Sequence, residues 1–307
     1  MLQTRFLLIC FAFTCTRSFA QKDINGSFTV NEEKREFILH LPAQYDGKTA
    51  LPLVMIFHGG GGNSKQMQNY MKMDGIADKK NFITVYPNGI NKQWNDGREF
   101  KQEITANDDI EFISQLLDTL LKNYAIDTKR VFSTGISNGG FFSIYLSYKL
   151  SHRLLAIAPV CASIPERIYD NFYPANPVSV LMINGTKDPL VPYEGGLVGN
   201  KMSGGRGRCT STDSTIQRYI SIDSIKKEAL MEELPDKNRL DGCTAVKYTY
   251  SGGKNNTTVC LIKVINGGHT LPGGSPYLPK IIIGKVCNDF NGNEMIWEFF
   301  KNCEPRS

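Results

Sequence analysis

Short apolar runs alternate with helix-forming segments along most of this chain, and that alternation limits the folds open to it. A helix is predicted over residues 108–124, where apolar residues recur at three- and four-residue steps. A last helix is predicted over residues 294–301. The predicted strands are residues 28–30, 37–41, 51–57, 82–86, 130–134, 155–160, 178–183 and 259–265, the first two of them as a hairpin. This order favours an α/β fold with a mostly parallel central sheet and helices on both faces.

The chain of 307 residues shows no internal repeat and no linker rich in Pro, Ser or Thr. One domain over residues 21–307, without a large cap domain, is therefore the simplest organisation. Residues 195–258 differ from the rest because they are rich in Gly, Ser, Thr, Asn and Lys, with one helix predicted near 213–227. We expect this segment to be an excursion over the sheet. It is either one wall of a substrate cleft or a variable surface loop.

Residues 1–20 have the pattern of a secretory signal peptide. Arg5 is followed by an apolar stretch over 6–14, and Ser18 and Ala20 are the small residues that cleavage requires, so Gln21 is the expected mature start. The apolar stretch is too short to span a membrane, although an uncleaved anchor or a buried helix is an alternative. The pattern predicts a secreted, extracellular protein, or a periplasmic one in a bacterial source.

Six cysteines follow the predicted signal peptide, and an even number in an exported chain favours disulfides. Cys209 and Cys243 bracket the polar excursion and are one candidate pair. No C-x-x-C pair or His-rich partner is present, so the sequence predicts no metal site. The formal charge of +5 comes from scattered Lys and Arg, without a basic stripe. We therefore expect neither nucleic acid nor a membrane as a partner. We also expect the protein to be a monomer.

The segment Gly135–Gly139 matches the pattern G-x-S-x-G around Ser137. Alone this pattern is common, and the plain alternative is a chance Gly/Ser turn. Here it follows a predicted strand and precedes a predicted helix over 140–150, which is the setting of a nucleophile elbow. The sequence therefore predicts Ser137 as a catalytic nucleophile.

The base and the acid follow from chain order, which in hydrolases with this elbow is Ser, then acid, then His. Of the four histidines, only His269 follows both the serine and a usable acid. A neutral imidazole there takes the serine proton and returns it to the leaving group. Asp188 lies five residues past the strand predicted over 178–183, at the strand end where catalytic groups collect. We therefore predict a catalytic triad of Ser137, Asp188 and His269.

Two backbone N–H groups are expected to form an oxyanion hole. One belongs to Asn138, and the other to the glycine run after the strand 51–57, with Gly60 favoured and Gly59 or Gly61 close behind. A glycine run after a strand also cradles phosphate in other proteins, but the G-K-[ST] ending of a P-loop is missing. Trp94, His58 and Gly59 are candidate substrate contacts, although Trp94 serves equally well as a buried anchor of its loop.

These residues resemble the esterase family that joins polyhydroxybutyrate depolymerases with the feruloyl and acetylxylan esterases of carbohydrate esterase family 1. The resemblance covers nearly the whole mature chain and rests on the blocks 39–42, 52–59, 86–89, 94–95, 108–109, 127–131, 134–140, 158–160, 185–188, 191–196, 268–270 and 296–300. It implies an α/β-hydrolase fold, the same triad and no cofactor. Leu271 stands where family members commonly carry Trp, so we expect an aromatic surface beside the site to be missing.

The chain also lacks the Thr-rich linker and binding domain typical of depolymerases that attack solid polyester. The resemblance therefore implies a secreted serine carboxylesterase acting on a small ester or an esterified plant polysaccharide, with feruloyl or acetyl esters of xylan first and polyhydroxybutyrate as the alternative. A serine peptidase with the same triad is disfavoured because the chain has no room for the usual propeller or cap. A catalytically inactive binding protein of this fold is disfavoured because all three triad residues are present.

Overall fold

The structure is a computed structural model that describes residues 22–99, 108–199 and 205–305. The predicted signal peptide and the mature start at Gln21 lie outside these residues. Within them, no helix has both the length and the apolar character needed to cross a bilayer.

The central element is a ten-stranded sheet in which the inner strands run parallel. The strand order is β1-β2-β4-β3-β5-β6-β7-β12-β11-β10, and every pair from β4 to β12 in that order is parallel. The strands of this sheet are β1 Lys22–Val30, β2 Glu33–Leu41, β3 Leu51–Phe57, β4 Ile83–Pro87, β5 Ile126–Ile136, β6 Ala156–Val160, β7 Ser179–Gly185, β10 Leu230–Leu234, β11 Thr244–Ser251 and β12 Thr258–Ile265. The predicted mostly parallel sheet is confirmed.

The predicted N-terminal hairpin is formed by β1 and β2, which pair antiparallel from Lys22 opposite Leu41 to Val30 opposite Glu33. Its two turn residues, Asn31 and Glu32, both have positive φ, at 48° and 69°. Two consecutive left-handed residues match the right-handed twist of the flanking strands, which is why such turns dominate short hairpins.

Helices cover both faces of the sheet, and each face has its own apolar core. The helices are α1 Ser64–Met71, α2 Asp74–Lys80, α3 Asp109–Asn123, α4 Asn138–Lys149, α5 Glu166–Tyr169, α6 Thr212–Ile222, α7 Lys280–Ile283 and α8 Gly292–Lys301. Alternate residues of β3 divide between the cores: Leu53 and Met55 pack with α3, α4 and α6, whereas Val54 and Ile56 pack with α1, α2 and α8. A strand buried on both faces explains why residues 51–57 are continuously apolar.

The segment 195–258 is only partly the loop excursion that its composition predicts. Its second half adds β10 and β11 to the sheet as an antiparallel extension beyond β12. Its first half forms a two-stranded ribbon of β8 Gly196–Leu197 and β9 Arg208–Cys209. Polar composition misled the prediction because β10 and β11 lie at an exposed sheet edge, where polar side chains face water.

The expected disulfide between Cys209 and Cys243 is not formed. All six cysteines of the described residues are free thiols: Cys161, Cys209, Cys243, Cys260, Cys287 and Cys303. Cys209 belongs to the apolar core on one face of the sheet and Cys243 to the core on the other, so the sheet separates them. Disulfide geometry requires Cα atoms within about 7 Å, which the two sides of a sheet do not offer.

Candidate active site

Ser137 lies on the sharp turn between β5 and α4, in the strand–turn–helix setting that the sequence predicts. Its backbone has φ 56° and ψ −124°, a strained conformation for a residue with a side chain. The turn also needs glycines, because a Cβ on Gly135 would come within 2.6 Å of the Gly139 carbonyl group, and one on Gly139 would overlap the Phe57 carbonyl of β3. The backbone N–H of Ser137 donates to the Val160 carbonyl at 2.9 Å, which fixes the turn against β6.

His269 and Asp188 form a buried pair. His269 Nδ1 lies 2.7 Å from Asp188 Oδ2, and both side chains are almost fully removed from solvent. The other carboxylate oxygen of Asp188 accepts the backbone N–H groups of Leu190 and Val191, each at 2.8 Å. These donors hold the carboxylate in one orientation, so the histidine ring is oriented in turn.

The pairing depends on a close approach between the loops that follow β7 and β12. A Cβ on Gly185 would overlap the backbone of Gly267, and the Lys187 N–H donates to the Gly267 carbonyl at 2.9 Å. The histidine loop is also tied to the end of α7, because the His269 N–H donates to the Ile283 carbonyl at 2.6 Å. Two neighbouring parallel strands thus bring together residues that are 81 positions apart in the chain.

The glycine run after β3 has two amides that already donate hydrogen bonds within the protein, and its first residue packs against the elbow. Gly61 N–H donates to the Lys92 carbonyl at 2.8 Å, and Gly62 N–H donates to the Gly59 carbonyl at 3.0 Å. A Cβ on Gly59 would lie 3.6 Å from Ser137 Cβ, so this end of the run touches the elbow. The geometry therefore favours Gly59 or Gly60, rather than Gly61, as the partner of Asn138 in a proposed oxyanion hole.

His58 supports this loop from behind. It is 1% exposed, its Nδ1 lies 2.8 Å from the Gly59 carbonyl, and its Nε2 accepts the Gly89 N–H at 3.0 Å. Burial lowers the pKa of His58 to about 4, so the ring is neutral near pH 7. A neutral ring with both nitrogens engaged is a support for the loop, although its edge also lines the cavity.

Trp94 does not contact the cavity, so its prediction as a substrate contact is wrong. The side chain is fully buried, stacks on Phe142 at 4.8 Å between ring centroids, and donates its indole N–H to the His58 carbonyl at 3.1 Å. Its backbone is clamped by the Asn138 side chain, which accepts from Trp94 N at 2.8 Å and donates to Trp94 O at 3.0 Å. The loop is therefore anchored by the burial of Trp94, which is the alternative role that the sequence allows for this residue.

A cavity of about 670 Å³ opens over Ser137 and His269. Its lining residues are His58, Gly59, Gly60, Gly61, Gly62, Asn63, Gln66, Met67, Tyr70, Arg98, Ile136, Ser137, Asn138, Leu190, Val191, Val198, Gly199, Arg206, His269, Tyr277 and Leu278. The wall is thus mostly apolar, with a few polar groups, as is usual for a small-molecule site. Val198, Gly199 and Arg206 come from the 195–258 segment, so this part of it forms a wall of the cleft, one of its two predicted roles.

The aromatic surface that Leu271 was expected to leave missing is supplied from elsewhere. Leu271 is 1% exposed and packs in the core, with its N–H donating to the Tyr70 hydroxyl at 3.2 Å. Tyr70 and Tyr277 line the cavity and meet edge to face, with ring centroids 5.6 Å apart. Neither tyrosine belongs to a motif, so only their closeness along the chain to the glycine run and to His269 could have suggested them.

Cys161 lies beside the buried pair of His269 and Asp188, a position that no sequence motif marks. Its Sγ, a carboxylate oxygen of Asp188 and a ring nitrogen of His269 lie within 4.8 Å of one another. Burial and the Asp188 carboxylate raise the pKa of the Cys161 thiol well above its usual range, so it remains a neutral thiol. Its Sγ lies 3.6 Å from the Thr270 carbonyl, which places it against the histidine loop.

The described residues include two further groups of possible metal ligands, Asp23–His40–Asp74 and Asp241–Cys287–Asp289. Members of both are already hydrogen-bonded, and we assign no metal to them.

The model of the phospholipase/carboxylesterase family matches residues 44–203, a little over half of the chain and the part that carries the elbow and Asp188. The chain belongs to this family. Membership confirms the predicted α/β-hydrolase fold and the prediction of a carboxylic ester hydrolase.

Curated relatives of this carboxylesterase confirm its resemblance to feruloyl and acetylxylan esterases. It is 26% identical over 250 residues to NocK of Nocardia uniformis subsp. tsuyamanensis, which is named as an esterase, covering 78% of this chain and 71% of that protein. It is 28% identical over 172 residues to the bifunctional acetylxylan esterase/xylanase XynS20E of Neocallimastix patriciarum, covering 54% of this chain and 24% of the relative. It is 28% identical over 169 residues to feruloyl esterase B of Piromyces equi, covering 53% of this chain and 31% of that protein. The chain thus spans less than a third of these last two proteins.

Among solved structures, the acetyl xylan esterase from Aspergillus awamori has the same overall fold. The TM-score is 0.58 at 11% identity, over 92% of this chain and 99% of that chain. At this identity the likeness concerns the fold alone.

Proposed function

We propose that this carboxylesterase is a secreted enzyme whose one catalytic domain, residues 21–307, cleaves feruloyl or acetyl esters on plant cell-wall polysaccharide such as xylan. Ser137 is the nucleophile, His269 the general base and Asp188 the residue that orients the base. The backbone N–H groups of Asn138 and Gly60 form the oxyanion hole.

The reaction proceeds by acyl transfer in two steps. Ser137 Oγ attacks the ester carbonyl while His269 takes its proton, and the negative charge on the carbonyl oxygen is met by the two N–H groups. His269 returns the proton to the leaving alcohol, which departs and leaves an acyl-serine. Water, deprotonated by the same histidine, then attacks the acyl carbon, and His269 returns that proton to Ser137 Oγ as the acid leaves. Asp188 accepts a hydrogen bond from Nδ1–H throughout, so that Nε2 is the nitrogen that takes and returns the proton. No metal or cofactor takes part in this proposal.

One observation carries the mechanism: the buried hydrogen bond of 2.7 Å between His269 and Asp188, beside a strained serine turn that lines the same cavity. A histidine oriented by a carboxylate is the base that activates a serine hydroxyl, and here both residues line one cavity. The catalytically inactive alternative offers no reason for this arrangement.

The mechanism is tested with Ser137→Ala on p-nitrophenyl acetate. We expect kcat to fall by several orders of magnitude, because loss of a triad member leaves only the catalysis from binding and the oxyanion hole. Ser163→Ala is the matched control, since Ser163 is fully buried but does not line the cavity. Near-normal turnover by folded Ser137→Ala protein would overturn the assignment.

The substrate class is supported by the cavity and by the relatives. A mostly apolar cavity bordered by Tyr70 and Tyr277 suits a planar aromatic acid such as ferulate, and it also admits an acetyl group. The relatives are named as feruloyl and acetylxylan esterases. Initial rates on methyl ferulate, acetylated xylan, polyhydroxybutyrate film and a long-chain triglyceride should be compared at equal ester content. We expect the first two to be faster, and a clear preference for the film would favour the depolymerase alternative instead.

Secretion is proposed from the signal-peptide pattern of residues 1–20. N-terminal sequencing of the protein recovered from the medium or periplasm of its source should begin at Gln21. A start at Met1 in the mature protein would contradict the proposal.

A further inference from the structure

The wall of the active-site cavity carries two arginines, and no carboxylate is among its described lining residues. Arg98 and Arg206 line the cavity together with Ser137 and His269. Charge of one sign inside a low-dielectric cleft attracts ligands of the other sign and disfavours like-charged ones. The charge of the cavity wall therefore affects which esters bind there.

The two arginines differ in whether a carboxylate of the protein already balances their charge. Arg98 is 5% exposed, its Nη2 lies 2.6 Å from Asp96 Oδ2, and its guanidinium lies 4.0 Å from the centre of the Phe141 ring. The buried Asp96 carboxylate behind the wall balances that charge. Arg206 is exposed, and within the described parts of the chain no carboxylate lies within ion-pair distance of it. The charge that a ligand meets is therefore that of Arg206.

Arg206 has a defined place in spite of its exposure. Its backbone N–H donates to the Val198 carbonyl at 2.7 Å, and the Val198 N–H donates to the Gly207 carbonyl at 2.9 Å. A Cβ on Gly199 would lie 3.6 Å from Arg206 Cγ, and one on Gly60 would lie 2.7 Å from Arg206 Nη1. The stem thus lies over one glycine and the guanidinium against another. A side chain at Gly60 would crowd the guanidinium, whereas one at Gly199 would make ordinary contact with the stem.

The guanidinium is close to the proposed chemistry. Gly60, which it touches, follows Gly59, the residue that packs against Ser137. The amide of Gln93 converges on the same point, since a Cβ on Gly60 would lie 2.9 Å from its Oε1 and 3.1 Å from its Nε2. Gln93 lies behind the wall, since it is not among the lining residues, and its Oε1 is buried without a hydrogen-bond partner in the described structure. Of these two side chains, only Arg206 therefore faces a ligand in the cavity.

We propose that Arg206 binds a carboxylate on the substrate. The preferred substrates are then esters that carry an anionic, uronate-like group near the scissile bond. Guanidinium–carboxylate pairs are favoured by charge and by matching geometry. This inference rests on the proposed function, because it specifies the substrate of the same cavity.

The test compares matched neutral and anionic esters. On the acyl side the pair is 4-nitrophenyl butyrate and mono-4-nitrophenyl succinate, and on the alcohol side it is methyl 4-acetoxybenzoate and 4-acetoxybenzoate. The variant is Arg206→Gln, which removes the charge and keeps most of the length. Arg208→Gln is the control, since Arg208 is also exposed, lies two residues away, is paired with Glu166 at 2.7 Å and does not line the cavity. Taking each variant relative to wild type cancels the different intrinsic reactivities of the esters.

For at least one pair, Arg206→Gln should lower kcat/KM for the anionic ester about fivefold and change the neutral ester less than twofold, as expected for one solvent-accessible ion pair. The effect should shrink when NaCl is raised from 20 to 500 mM, because salt screens exposed charges. Arg208→Gln should change neither ester. An equal effect of Arg206→Gln on both members of both pairs would overturn the assignment while leaving the esterase proposal intact. Failure of wild-type protein to hydrolyse any of the four esters would overturn both.

Discussion

The side chain of Asn138 offers a sharp test of how the active site is held together. It makes three buried hydrogen bonds to the loop that follows β4, accepting from Trp94 N at 2.8 Å and donating to Trp94 O at 3.0 Å and to Asp96 Oδ2 at 2.6 Å. Asn138→Ala removes all three and keeps the backbone N–H proposed for the oxyanion hole. The variant therefore separates the clamp from the chemistry.

The magnitude follows from the burial of the partners. Trp94 and Asp96 are fully buried, so the groups left behind lose their partners in a site with little access to water. Two neutral hydrogen bonds contribute about 1 kcal/mol each, and one to a charged group contributes about 1.5–3 kcal/mol. We expect the free energy of unfolding to fall by about 3.5–5 kcal/mol. KM should also rise, because the same loop carries Arg98 into the cavity wall.

The assay is urea unfolding at pH 7, followed by tryptophan fluorescence and by circular dichroism. Asn123→Ala is the matched control, since Asn123 lies at the exposed end of α3 and its side chain donates to the Thr119 carbonyl of the same helix. That variant should change stability by less than about 0.5 kcal/mol. If Asn138→Ala lowered the free energy of unfolding by less than about 1 kcal/mol, the three hydrogen bonds would not hold the loop as described. An unchanged KM would show that the loop does not affect the cavity.

Three further outcomes are expected. The neutral form of His58 is favoured in the fold, where its pKa is about 4, while the unfolded chain binds a proton below pH 6.5, so stability is lost as the pH falls. Between pH 7 and pH 5 wild type should lose about 2 kcal/mol more than His58→Gln in urea unfolding, and equal losses would contradict this. Asp188→Asn should lower kcat about 10³- to 10⁴-fold with little change in KM, because His269 loses the acceptor that sets its tautomer, and a loss below tenfold would count against that role. Peptide mapping without reduction should find no bridge between Cys209 and Cys243, and detection of one would contradict the sheet's separation of them.

Local patterns in the sequence were enough to predict β1 to β7 and β12, the helices α3, α4, α6 and α8, and the setting of Ser137. Residues 51–57 are apolar at every position because β3 is buried on both faces, and a run of that kind is visible without any structure. The elbow is a local device whose glycines and serine are adjacent in the chain. The pairing of Asp188 with His269 was also predictable, because only one of the four histidines satisfies the chain order.

The tertiary structure decided what surrounds those residues, since it depends on which side chains meet from distant parts of the chain. The sequence alone left Trp94 divided between substrate contact and buried anchor, and its contacts with His58 and Phe142 decide for the anchor. Tyr70 and Tyr277 supply the aromatic surface that Leu271 does not, from positions that no motif marks. Periodicity and motifs record the local backbone and its burial, whereas a cavity wall is assembled from loops whose paths are set by packing. For this protein the sequence therefore determined the fold and indicated the residues proposed to react, and only the folded structure determined the shape and charge of the site around them.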